Sequence, residues 1–159
     1  MQNWLTILAF LIIPVYQSAA QDQFLGRAIN EVRSQLDKRR IVYTEQTSPM
    51  GDMTTLSYSV SETSPNRVDL FFSHALSFPQ ANQNRCNQVI SIPMLQKPWV
   101  PDTLENRMLE SGYKKLDDGR FVHEKFDQLV ILDYVRDTQQ PNVRMLRLVF
   151  RQRPKPAEK

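Results

Sequence analysis

Period-two alternation limits the fold of this chain more than any other feature. Leu56, Tyr58 and Val60 alternate with Ser57, Ser59 and Ser61, and Val68, Leu70 and Phe72 fall on one side of the next segment. Near the end of the chain, Leu146, Leu148 and Phe150 alternate with Arg147, Val149 and Arg151. Successive residues of a strand point to opposite faces, so each segment reads as a half-buried strand. The turn-like runs Ser48-Pro-Met-Gly-Asp52 and Ser64-Pro-Asn66 join neighbours at short range, which predicts an antiparallel meander. Strands are expected at 41–47, 54–61, 67–73, 88–92, 120–126, 129–136 and 143–151.

Two helices are expected beside them. Leu25, Ile29, Val32 and Leu36 recur with helical spacing between Phe24 and Arg39. Asp102-Thr-Leu-Glu105 follows Pro101 and has the form of a capping box, with Asp102 as the N-cap of a helix running to Ser111, and Gly112 as its stop. Asp117-Asp-Gly-Arg120 is a hairpin signal, because Asp-Gly admits the positive φ of a type I′ turn. Residues 74–101 carry three late prolines and no firm period, and read mostly as connection.

Helix then strands occurs twice, in 22–73 and 102–151, joined by 74–101. Leu56-Ser-Tyr-Ser-Val60 aligns with Leu132-Asp-Tyr-Val-Arg136, and Pro65-Asn66 meets Pro141-Asn142 at the same offset. The expected fold is therefore α+β: an antiparallel sheet of about six to seven strands with two helices packed on one face, in a possible tandem αβββ duplication. That plan resembles secreted β-lactamase-inhibitor proteins in architecture alone, and the resemblance implies no function or site. The alternative is one curved sheet wrapped around the N-terminal helix, as in helix-grip or cystatin-like folds.

The N-terminus sets the compartment. The apolar run Leu5–Tyr16 carries no charge, ends near small residues and is followed by Gln17-Ser-Ala-Ala20, which reads as a secretory signal cleaved after Ala20. The run is shorter than the roughly 20 apolar residues of a membrane span, so no span is expected once it is removed; a retained anchor is the competing reading. Taking 20 residues from 159 leaves 139, enough for one domain over 21–151 with a basic tail at 152–159. The single Cys86 precludes an intramolecular disulfide, and no Asn-x-Ser/Thr sequon occurs. Together these point to a bacterial periplasmic or extracellular protein. The charge of +3 is well mixed, and no nucleic-acid partner is expected.

Catalytic signals are sparse. His123-Glu-Lys-Phe-Asp127 lacks the second histidine of a zinc-protease helix, and on a strand His123 and Glu124 point apart. His74 is the only other histidine. No Cys pair, Gly-x-Ser-x-Gly elbow or Gly-rich phosphate loop is present, so no catalytic residue, metal or cofactor is expected. Binding is the stronger expectation. Lys97-Pro-Trp-Val-Pro101 sets Trp99 in a stiff connection, and Trp is over-represented at interface hot spots. Phe78 and Met94 in the same stretch complete the candidate binding residues; core packing is the competing reading for all three. The expected function is a non-enzymatic exported module that binds another protein. A carrier for a small apolar ligand is the alternative, and a small hydrolase the third.

Overall fold

The computed structural model describes residues 22–63, 69–116, 119–136 and 144–153. The leader, the turns at 64–66 and 138–142, Asp117-Asp118 and the tail from 154 onward lie outside the described residues. The fold is α+β with one antiparallel sheet. Helix α1 spans Ile29–Lys38, and strands β1 Tyr43–Thr47, β2 Met53–Thr63, β3 Asp69–Pro79 and β4 Gln88–Pro93 follow. Helix α2 spans Val100–Glu110, followed by β5 Lys114–Lys115, β6 Arg120–His123, β7 Gln128–Arg136 and β8 Arg144–Gln152. The spatial order is β1-β2-β3-β4-β8-β7-β6-β5. A helix and four strands occur twice, and the last strands of the two halves pair at the centre of the sheet.

One row of residues crosses the whole sheet. Glu45, Leu56, Leu76, Val89, Phe150, Val130, Phe121 and Lys115 are successive register partners from β1 to β5. The six inner members are fully buried. Burial of each such side chain contributes roughly 1.5–3 kcal/mol. The two outer members are charged, and each binds the helix of its own half. Arg33 of α1 meets Glu45 at 2.6 Å, and Lys115 meets Glu105 of α2 at 2.6 Å. Ile29, Val32 and Leu36 of α1, with Val100, Leu104 and Met108 of α2, belong to the same hydrophobic cluster as the inner row.

Among the described residues, eight strands occur where six to seven were expected, four to each half instead of three. The extra one, β5, is two lysines with no alternation; it is a strand because Lys114 and Lys115 pair with Val122 and Phe121. The expected connection 74–101 is largely ordered. Besides the strand expected at 88–92, which is β4, it holds the second half of β3 and the start of α2. Strand β3 runs on because Leu70, Phe72, His74, Leu76 and Phe78 all face inward; His74 breaks the apolar pattern but not the strand.

Both helices begin elsewhere than expected. Residues 22–24 form a separate 3-10 turn, and Gly26 has φ +77°. Gly26 N donates to Cys86 O and Cys86 N to Arg27 O, both at 2.8 Å, so this stretch pairs with the chain before β4 instead of extending α1. For α2, Trp99 is the N-cap and no side chain caps it. Asp102 lies inside the first turn, and Glu105 is engaged by Lys115 rather than by a capping box.

Candidate interaction surface

Two of the three expected binding residues share one connection, and the third does not join them. Phe78 is fully buried on β3 within the core cluster. It stands six residues beyond Phe72, about 20 Å along the strand at about 3.4 Å per residue. Met94 directly follows β4, and Trp99 directly precedes α2.

Local chemistry fixes this connection. Pro93 ends β4, and the Gln96 side chain continues the pairing beyond it. Gln96 Nε2 donates to Pro93 O at 2.5 Å, while Oε1 accepts from Leu146 N of β8 at 2.8 Å. Val100 N donates to Lys97 O at 3.0 Å, and Trp99 O accepts from Thr103 Oγ1 at 3.0 Å. Met94 N donates to Phe71 O at 2.7 Å, which brings Phe71 alongside. The connection and the strand beside it thus leave four large apolar residues exposed, here called the apolar lip: Met94 is 63% exposed, Phe71 56%, Trp99 41% and Leu95 39%. Single exposed apolar residues are ordinary, but four held on one pinned connection and its neighbouring strand are not.

Phe71 and Leu95 were not expected here. A signal for Phe71 is present: three consecutive bulky residues, Leu70-Phe71-Phe72, must send one to each face of a strand. Leu95 has no such signal.

The two histidines lie elsewhere. His74 and Ser91 are buried, with Nδ1 and Oγ 2.9 Å apart. The ring is stacked on Phe72 and tilted against Tyr58. Burial pulls its pKa down to about 4, so the imidazole is neutral at pH 7. A Ser–His contact can activate a nucleophile, but these two side chains are closed off from solvent. His123 packs edge-on against Tyr113 and tilted against Phe126, while Glu124, just past the strand, pairs with Lys114 at 2.9 Å. Among the described residues, no group of three or more His, Cys, Asp or Glu side chains is placed to hold a metal ion.

No family model, curated protein or solved structure matches the chain. The apolar lip therefore stands on its own geometry. Among the described residues, no helix is long and apolar enough to cross a membrane.

Proposed function

We propose that this chain is an exported, non-enzymatic module that binds another protein through the lip formed by Phe71, Met94, Leu95 and Trp99. The supporting observation is the exposure of Met94, Leu95 and Trp99 on a connection that Gln96 ties to Pro93 and Leu146, with Phe71 exposed on the adjoining strand, since a pre-organised apolar anchor loses little entropy on docking. Export rests on the leader at residues 1–20, and bacterial periplasm or the extracellular space is the proposed compartment. The two αββββ halves, each with its helix tied to its own edge strand, are proposed as a duplication with both helices on one face. The carrier reading has less support, because a ligand between sheet and α1 would displace Phe24, Leu36 or Leu56, all fully buried.

The test is site-specific photo-crosslinking in the exporting cell. A photoreactive side chain at position 99 and one at position 94 are expected to capture the same protein. One at Val42, also exposed but on the far side of the sheet order, is expected to capture nothing. Trp99→Ala is expected to weaken the interaction about tenfold, the scale of a truncated hot spot. Equal capture from all three positions, or a bound lipid without a protein, overturns the reading.

A further inference from the structure

The face of the sheet opposite the core row mixes apolar and polar groups: beside Ile90 and Val149 stand Gln88 and Arg151, joined at 2.8 Å, and the Arg147–Asp133 ion pair at 2.7 Å. Val122 and Val149 are buried, yet neither belongs to the core cluster. Register places them in two rows. One runs Thr44, Ser57, Ala75, Ile90, Val149, Ile131 and Arg120. The other runs Gln46, Thr55, Ser77, Gln88, Arg151, Leu129, Val122 and Lys114. In both rows the first half contributes mainly small or hydroxyl side chains. The second half contributes branched apolar and cationic ones.

This asymmetry is self-complementary. A two-fold axis along the strand direction, between β4 and β8, would turn one copy of the sheet over onto another. Each position in the first half then meets its mirror position in the second half of the other copy. Ala75 falls opposite Ile131, Ser77 opposite Leu129, Thr55 opposite Val122, and Ile90 opposite Val149. Every branched apolar side chain in these rows then meets a small residue or a β-branched one. A two-fold running across the strands would instead set bulk against bulk.

The size is also sufficient. The six inner strands at about 4.8 Å spacing, over about seven residues at about 3.4 Å, cover roughly 700 Å². Standard interfaces bury about 600–1,000 Å² per partner. Two sheets stacked in this way pack about 10 Å apart, as in a β-sandwich.

We infer that this face binds a second copy of the chain, forming a two-fold sheet-on-sheet dimer about an axis parallel to β4 and β8. The inference uses the middle of the sheet and does not depend on the proposed partner of the apolar lip.

Sedimentation equilibrium of the purified protein tests it. The wild type is expected to have the mass of two copies; a single-copy mass up to the solubility limit overturns the inference without any variant. Ala75→Glu and Ile131→Lys are each expected to weaken self-association at least tenfold. Mixing the two variants is expected to restore the two-copy mass. In the mixed dimer the introduced carboxylate of one copy faces the introduced ammonium of the other, and the second copy of that contact is native. Each variant alone repeats its own defect twice. A two-copy mass retained by both variants overturns the inference, as does a mixture that stays monomeric. If far-UV circular dichroism shows either variant unfolded, Ser77→Glu with Leu129→Lys reads the neighbouring row in the same way.

Discussion

At the scale of single residues, His74 and Cys86 have the sharpest consequences. His74 is neutral in the folded protein because burial lowers its pKa from 6.5 to about 4. Above pH 6.5 it is neutral whether the chain is folded or not, and stability is unaffected. Between pH 6.5 and about 4 the unfolded chain takes up a proton that the folded chain refuses, so stability falls with pH. The shift corresponds to about 3 kcal/mol by pH 4. Urea titrations of wild type and His74→Leu across this window are expected to diverge: the variant loses less stability on acidification. Parallel pH profiles would remove His74 as the cause. Burial acts on Cys86 in the opposite sense and pushes its thiol up to about 12. Sγ is buried and within 3.5 Å of Gln88 O. Alkylation of Cys86 is expected only under denaturing conditions, and rapid labelling of the folded protein would contradict this.

Elements were legible where side-chain period and structural period agreed. β2, β7, β8 and the body of α1 are such cases. They were lost where a contact distant in sequence decided the outcome. The start of α1 gives way to pairing between Gly26-Arg27 and Cys86, which no local pattern reports. Strand β5 exists only through its hairpin partner. The second half of β3 was hidden by His74, whose inward position depends on Ser91 of the next strand. The repeat alignment shows the same limit. It matched β2 with β7, two alternating strands, but the sheet order sets β7 in the place that mirrors β3. For the candidate surface, Trp99 and Met94 were readable as apolar residues in a proline-bounded connection. The Gln96 bridge that holds them was not, because its partner Leu146 lies 50 residues away. Gly119 ties the β5–β6 connection to β7. Its φ is +71°, and an added Cβ would stand 2.5 Å from Leu132 O. Gly119→Ala combines backbone strain with a collision against main chain, and a loss of about 2–4 kcal/mol is expected in thermal or urea unfolding. An unchanged midpoint would show that the turn relaxes freely.

At the scale of the whole molecule, the long core row has a beginning and an end. Its six inner members are apolar, and its outer members are Glu45 on one edge strand and Lys115 on the other. A ninth strand added beyond either edge would have to pack beside a charge already held by its own helix, at Arg33 or Glu105. Exposed edges otherwise act as templates for further strands. The two charges therefore act as stops on growth: the sheet is finite because its ends are unattractive to more of itself. Removing both stops, with Glu45→Val and Lys115→Val in one chain, is expected to leave the fold in place and convert the protein into one that fibrillises on standing, read by light scattering and thioflavin fluorescence. A double variant that stays soluble as long as the wild type would show that length is controlled elsewhere.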